Sequence, residues 1–539
     1  MNIKEEHSKY LPLFIFLLIS ILYILTMPAK FIIQDSAAEI RLALSEHPGI
    51  RSSHLLTTPL FGLLLRLDRL FGLGDNSFII VQILNIMLSI GCAVILYLML
   101  KRLLRDRNSA LYLVLFFSIS NVVWNQSIAA ETGMLSQVCL TLSLYFLLNC
   151  ISARGNRYFS AAVSLGFVSI GVLFSTYMAI FVPFTLVILW VAVDRSVVSR
   201  AKIIIIMSST LLFFMAMPFL IGAYLDGVDS ISGFLKWMTT HSEQDRLSGI
   251  SILRPESIFR AAAGIVSTFV DTRGGLTYVK LLARGEPIVG IPATSLIYLA
   301  VGLLITVSVF SLSIRGIAKN RKGLLVYYCI FNLILLFIFN LFWLGSDPQF
   351  WMPGLPLLLI LSGYGIVSIK QSTISKVLMI FFKVGLLSGL LIINTPRDLP
   401  SIAFPDGGDD LKRAKLFAED LQEGDVIFSP GWNWTEYIVN LRRDVRLVNL
   451  VYSDEIGRDE SFYVDLDNII LKTLADDKKV YFEGLSGPKT ARQYGAWQMF
   501  ENHRGLSREE VFKYLDTTYK IRHIDDREGK DLILLYSVK

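Results

Sequence analysis

Cysteine is scarce: the 539-residue chain has four, Cys92, Cys139, Cys150 and Cys329. Each lies in or at the edge of an apolar run. None reads as a disulfide partner or as part of a metal cluster, and small buried apolar residues account for them. Charge is also thin, at 18% Asp, Glu, Lys and Arg, less than a soluble protein of this length carries. No strand is followed by a glycine-rich dinucleotide fingerprint. No small-residue cleavage site follows the first apolar run, which therefore reads as a retained helix and not as a signal peptide. The end of the chain lacks a basic excess. Pro396–Lys539 holds 21 Lys and Arg against 27 Asp and Glu, a balance of −6, which argues against a nucleic-acid partner.

What the chain has instead is hydrocarbon. It is 53% hydrophobic with a mean hydropathy of +0.55. Apolar runs near twenty residues recur through the first 395 residues, the mark of a polytopic helical membrane protein. Eleven spans are expected, near 10–28, 78–100, 109–124, 132–152, 159–175, 177–193, 203–225, 288–312, 323–343, 350–369 and 375–394. The short segments between 159 and 193 imply a tight hairpin at the polar Ser175, Thr176 and Tyr177. Residues 1–395 carry 30 Lys and Arg against 18 Asp and Glu, a balance of +12. The change of sign near 396 divides a membrane domain, 1–395, from a soluble one, 396–539.

Basic residues set the orientation. Lys4 and Lys9, KRLLRDR at 101–107, Arg154 and Arg157, Arg195 to Lys202, RGIAKNRK at 315–322, and Lys370 with Lys376 all fall on one side of eleven spans. That side is read as cytoplasmic. The loop 29–77, the turn near Asn125–Glu131, the loop 226–287, the turn GSDPQFWMP and the C-terminal domain then lie outside. In the C-terminal domain DVIFSP, VRLVNLV, KKVYFEG, YKIRHI and LILLYSV read as strands alternating with amphipathic helices. That order implies an extracytoplasmic α/β domain with a mostly parallel sheet closed by a hairpin. Ser507 and Glu510 have capping-box spacing before one of the helices. The loop SPGWNW carries two Trp, which packing explains better than a ligand does.

Carboxylates are costly near a membrane and are candidates for function. On the external side they are few: Asp35, Glu39 and Glu46 in the first loop, Glu131 in NQSIAAETGML, and Asp347 in WLGSDPQFWMP. Asp35 and Glu39 are i and i+4, so a helix would show both on one face. The plain alternative is the solvated end of an interfacial helix, and Glu46 is read that way. The same loop continues as TTPLFGLLLRLDRLFGLG, an amphipathic pattern with Leu60, Leu63, Leu64, Leu67, Leu70 and Phe71 as the stripe. The loop 226–287 has a second such pattern, PESIFRAAAGIVSTFV. It also carries Lys236, His241, Arg246, Arg254, Arg260, Arg273, Lys280 and Arg284. A basic loop outside opposes the positive-inside bias and suits an anion such as phosphate; a solvated loop balanced by its own acids is the alternative.

These residues resemble a family. The arrangement is similar to the polytopic lipid-sugar-dependent glycosyltransferases, the GT-C class that includes protein O-mannosyltransferases and the aminoarabinose transferase of lipid A. The first third most resembles members with a DSGE-type motif followed by HPPGYPLY. Here the first reads DSAAE at Asp35–Glu39, with one residue inserted before Glu39. The second reads HLLTTPLF, keeping His54, Pro59 and Leu60 but replacing the PPGY centre. WNQSIAAETGMLS keeps Trp124, Gln126 and Glu131 of a later segment, and DPQFWMPGLPLLLILSGYG resembles the class's late motif. The resemblance covers about residues 10–395.

It implies a polyprenyl-phosphate monosaccharide donor and a hydroxyl acceptor on a lipid, glycan or protein. Asp35 is the expected base and Glu131 the second carboxylate. Glu39, His54, Lys236, His241, Arg254, Arg273, Asp347 and Gln349 are the expected substrate-binding residues. The leaving phosphate needs Lys or Arg, or a divalent cation, beside it. Two other classes stay open: a flippase of lipid-linked sugars, which needs polar groups within paired half-helices, and a non-catalytic assembly protein, which tolerates Asp35→Asn. Compact loops point to a prokaryotic cytoplasmic membrane.

Overall fold

The computed structural model describes residues 3–26, 54–71, 79–129, 131–153, 155–192, 196–244, 255–272, 293–321, 323–342, 347–369, 373–395, 416–430, 444–451, 461–485, 504–525 and 531–538, with single positions between. The described residues fall into two compact units: those within 1–29, 49–64 and 78–397 form the first, and those within 65–77 and 398–539 form the second.

The first unit is helical. Its elements are α1 (Ile3–Thr26), the first part of α2 (Thr57–Phe71) as far as Leu64, α3 (Ile79–Leu104), α4 (Arg107–Ile119), α5 (Asn121–Ile128), α6 (Gly133–Ile151) and α7 (Arg157–Phe174). A 3-10 turn, Thr176–Ile180, leads into α8 (Phe181–Ala192). Then come α9 (Val197–Leu211), a π-helical turn at Leu212–Ala216, α10 (Met217–Leu225), α11 (Ile231–Gln244), α12 (Pro255–Phe269), α13 (Ala293–Lys319) and α14 (Leu324–Phe342). A second 3-10 turn, Pro348–Trp351, precedes α15 (Gly354–Ile369) and α16 (Thr373–Asn394). The described residues of all eleven expected spans are mainly helical. Among the described residues six helices are long and apolar enough to cross a bilayer, and the bent pair α4–α5 makes a seventh. The other four segments are shorter apolar helices. The chain is thus a multi-span membrane protein.

One expectation needs correction: the turn near Asn125–Glu131 is shorter than its sequence implies, because α5 runs on to Ile128. On α2 Thr57, Thr58, Phe61 and Leu65 are buried, while Leu63 of the apolar stripe is 55% exposed. Leu56 N–H donates to Leu173 O at 3.0 Å and orients the first turn.

The break between α4 and α5 is the main departure from regular helix. The axis turns by 61° at Ser120, whose backbone is extended, with φ −62° and ψ 140°. The sequence there is FFSISNVVW, two serines and an asparagine in an apolar run. Ser118 and Ser120 hydroxyls bond back to Val114 O and Phe116 O, a pattern that bends helices. A break in hydrocarbon strands carbonyls that water cannot reach, at about 1–3 kcal/mol each. Here Tyr23 O–H donates to Ser118 O at 2.6 Å. Asn394 Nδ2 donates to Ile119 O and to Phe269 O, each at 2.8 Å, and its Oδ1 accepts from Asp271 N at 3.1 Å. At the far end of α5, Gln82 Nε2 serves Ile128 O at 2.8 Å, and Asn85 Nδ2 serves Ala129 O and Glu131 O at 2.8 and 2.7 Å.

The second unit is α/β. Strands β1 (Val426–Ser429), β2 (Arg446–Asn449), β3 (Val480–Glu483), β4 (Tyr519–Asp525) and β5 (Asp531–Val538) match the five expected strands, and α17 (Ser461–Ala475) and α18 (Arg508–Thr518) lie between them in sequence. The sheet order is β2-β1-β3-β5-β4. The first three strands are parallel and the last two antiparallel, so the closing hairpin is present. β1 and β3 are wholly buried, as central parallel strands require. Glu483, buried at the end of β3, accepts from Ser429 and Thr435 hydroxyls at 3.1 and 3.0 Å. The capping box at Ser507 and Glu510 is formed.

Asn394→Leu removes three hydrogen bonds, one at the α4–α5 break and two at the end of α12, and is expected to cost about 2–4 kcal/mol, against about 1 for Tyr23→Phe; denaturant unfolding of the purified protein measures both. In the second unit, the Ser507 N–H holds the Glu510 carboxyl below its ordinary value of 4.5. A lowered folded-state value means the cap is intact above pH 4.5 and is lost as the pH falls below it. Acid titration of α18 helicity, with Glu510→Gln insensitive to pH, is the expected result.

Candidate functional site

The turn between α5 and α6 carries Glu131. Its backbone is pinned by Asn85 and its side chain is 2% exposed, with Oε2 accepting from Thr132 N at 3.3 Å. Gly133 opens α6. A Cβ there would lie 2.4 Å from Gln126 Oε1 and 3.1 Å from Met352 Cε. The glycine lets the Gln126 and Met352 side chains close over this turn.

Met352 follows the Pro348–Trp351 turn, so the second external motif arrives beside the first. Asp347 caps that turn by accepting from Gln349 N at 2.9 Å. Trp351 Nε1–H donates to Gly345 O at 2.9 Å, and Asn340 Nδ2 donates to Phe350 O at 3.3 Å. From the other side α12 presses in. A Cβ on Gly264 would stand 2.0 Å from Gly345 O and 2.5 Å from Trp351 Nε1. α12 is therefore the buttress of the Asp347 turn, and Asn121 Nδ2, donating to Ser267 O at 2.7 Å, ties it to α5.

Tyr177 joins the two motifs. It lies in the 3-10 turn after α7, edge-on to Phe350 at 5.3 Å and stacked near Phe339 at 6.3 Å between centroids. Ser136 and Ser175 are within its hydrogen-bonding reach, and both Asp347 and Glu131 act on it electrostatically. Reading the sequence for acids and cations missed this residue. Its signal was a phenol in the polar break Ser175–Tyr177 between two apolar runs.

His54 is fixed to the same region. Its Nδ1–H donates to Phe174 O at 2.9 Å, three residues before Tyr177. Thr57 Oγ1 reaches the same carbonyl at 3.4 Å. Leu55 is wedged into α10, where a Cβ on Gly222 would come within 2.4 Å of its Cδ1. With Nδ1–H committed to a carbonyl, the other ring nitrogen is left to carry any chemistry.

Of the ten expected site residues, four have described side chains: His54, Glu131, Asp347 and Gln349. All four lie at the end of the bundle where α7 meets the 3-10 turn and α5 meets α6. Lys236 and His241 are on α11, and their side chains lie outside the described residues. Asp35, Glu39, Arg254 and Arg273 lie outside them altogether. Among the described residues no three His, Cys, Asp or Glu gather as metal ligands. The gathered groups are two carboxylates, a phenol, an imidazole and two amides, which suits proton transfer and the holding of hydroxyls.

Residues 57–221 match the family model described as dolichyl-phosphate-mannose-protein mannosyltransferase. No curated protein matches by sequence. Among solved structures, the chain is similar to ArnT from Cupriavidus metallidurans bound to undecaprenyl phosphate. The identity is 11% and the TM-score 0.58, over 97% of this chain and 97% of that one. Against ArnT from the same organism in the apo state the identity is 10% and the TM-score 0.60, over 98% of each. The likeness to the solved structures is one of fold, and it extends over both units.

Gly264→Ala is expected to displace the Gly345–Met352 turn, red-shift tryptophan emission through Trp351 and lower the unfolding temperature. Gly91→Ala, with nothing within 4 Å of the new methyl, leaves both unchanged; emission spectra and melting curves check the pair.

Proposed function

We propose that this multi-pass membrane protein, with its mannosyltransferase-family segment and ArnT-like GT-C fold, is an inverting glycosyltransferase. It moves a monosaccharide from a polyprenyl-phosphate donor to a hydroxyl acceptor at the outer face of the membrane. One observation carries the reading beyond the comparisons: the turns of Glu131 and Asp347, 216 residues apart in the chain, come together at Gly133 and Met352, with Tyr177 within electrostatic range of both acids and His54 anchored three residues before it on Phe174 O. The relative solved with undecaprenyl phosphate bound supports the lipid class of the donor.

On this reading all eleven segments cross a prokaryotic cytoplasmic membrane, and residues 396–539 form an extracytoplasmic domain. Asp35 takes the proton of the acceptor hydroxyl. The freed oxygen attacks the anomeric carbon, and the bond to the phosphate oxygen breaks with its electron pair leaving on the phosphate. One displacement inverts the configuration. Partial desolvation keeps a carboxylate basic enough for the task. Glu131, held by its backbone, orients the acceptor, and Glu39 contributes beside it. His54 meets a sugar hydroxyl through the nitrogen not bonded to Phe174 O. Asp347 and Gln349 bound the sugar pocket. Lys236, His241, Arg254 and Arg273 neutralise the phosphate as charge builds on it; a divalent cation is the alternative source, and chelation separates the two.

The test is transfer by purified protein from a panel of polyprenyl-phosphate sugars, wild type beside Asp35→Asn. Asp35→Asn is expected to lose about 10²–10⁴-fold in turnover while retaining donor binding, and Glu131→Gln to fall with it. If no donor reacts yet one is carried across vesicles, the protein is a flippase and the proposal is wrong.

A further inference from the structure

A column of polar side chains runs inward from the Glu131 turn. On α3, Gln82, Asn85, Ser89 and Cys92 are spaced i, i+3, i+7 and i+10 and share one face. Each is at most 1% exposed. Asn85 Nδ2 donates to Glu131 O at 2.7 Å. Ser89 Oγ accepts from Ser127 Oγ of α5 at 2.7 Å. Cys92 Sγ and Thr141 Oγ1 of α6 are 2.9 Å apart. α3 and α6 therefore run in the same direction. Asn85 is level with the turn, and Cys92 is level with Thr141, about two helical turns further in.

Gln137 occupies the middle of the column. Gly133, Gln137 and Thr141 are spaced i, i+4 and i+8 on α6 and share a face. At one end of that face Thr141 turns toward Cys92. At the other, a Cβ on Gly133 would stand 2.4 Å from Gln126 Oε1. Long side chains on a helix lean toward its N-terminus, so the Gln137 amide leans toward Gly133 and the Glu131 turn. Gln137 is fully buried, and neither its Oε1 nor its Nε2 has a hydrogen-bond partner. Gln126 Oε1 and Asn85 Oδ1 are also buried and unpartnered. Three amides thus hold four unpartnered atoms, three acceptors and one donor, around the first turn of α6. In hydrocarbon such atoms lower stability, and an apolar side chain of the same shape avoids the loss. Polar residues kept against that loss mark a functional position.

We propose that Gln137 is a positioning residue for Glu131. With Gln126 and Asn85 it holds water beneath the turn, and the water fixes the Glu131 side chain for the acceptor hydroxyl. The balance of donors and acceptors selects the ligand. A buried water makes about three hydrogen bonds and both gives and takes them. An anion is repelled by three acceptors, and a cation leaves the Gln137 Nε2 donor unserved. The role given to Glu131 rests on the transferase reading above; the water site does not.

Gln137→Met in the full-length protein tests it, because it keeps the volume and removes both polar atoms. The melting temperature is expected to rise by about 1–3 °C. Turnover with the donor found in the transfer panel should fall about 10–100-fold, with donor KM unchanged. Stability and activity then move in opposite directions, which a packing role would not produce. Asn332→Leu is the control. It removes a buried, unpartnered amide oxygen from α14, outside the column, and should leave turnover unchanged. Cryo-electron microscopy at about 2 Å supplies a readout without activity: wild type should show density within hydrogen-bonding distance of the Gln137 amide, and Gln137→Met should lack it. Unchanged turnover in Gln137→Met, a fall in melting temperature alongside turnover, or a wild-type amide with no water on it overturns the proposal. If no donor reacts with wild type, the transferase reading fails and the role given to Glu131 goes with it, while the density still decides the water site.

Discussion

Hydrocarbon offers no hydrogen bonds, and the helix through residues 107–128 is broken inside it. That constraint shapes the first unit. Carbonyls released by the bend at Ser120 need donors, and two come from distant chain segments: Tyr23 from α1 and Asn394 from α16. Gln82 and Asn85 from α3 do the same for the carbonyls at the far end of α5. Each such carbonyl left stranded would cost about 1–3 kcal/mol, a sizeable part of the net stability of a typical domain. The bend and its donors are one structure, and the helices that supply the donors are held in register by it.

The same bonds position the candidate site. Asn85 serves Glu131 O as well as Ala129 O, so the acid's backbone is fixed by the device that terminates α5. Asn394 binds Ile119 O and Phe269 O with one amide, which sets α12 against α5. α12 then supports the Asp347 turn through the contact of Gly264 with Gly345 and Trp351. A carboxylate in a low-dielectric rim is useful only if it is placed to within a fraction of an ångström. Here the placement is made by bonds to the backbone around the candidate groups, with one carboxylate oxygen of Glu131 and one of Asp347 also tied to a neighbouring N–H.

Much of this was legible in the sequence, and the reasons are physical. Apolar runs of membrane length mark the long helices, because composition has to match hydrocarbon residue by residue. The five strands and the capping box of the second unit are short-range patterns, and both stand where the sequence puts them. Glu131 and Asp347 were visible because a carboxylate there is costly enough to need a reason. Less legible were features set by distant partners. The bend at Ser120 depends on Tyr23 and Asn394, 97 residues earlier and 274 later. The face of α2 depends on Leu173 O. Tyr177 carries no charge, so a reading built on charge passes over it, and only the meeting of two remote turns gives it a role.

Polarity also divides the proposed labour. The helical framework contributes acids, a phenol and amides to the outer end, a set that repels phosphate and attracts hydroxyls and protons. The cations that the leaving group needs are carried, by sequence, in the loop 226–287. An acceptor held by the framework and a phosphate held by that loop would keep the base away from the anion it must not stabilise too early, since a carboxylate beside a phosphate raises the energy of both. That separation favours transfer over carriage. A carrier must bind and release the intact lipid-sugar, whereas a transferase gains when attraction for the phosphate grows only as the glycosidic bond breaks.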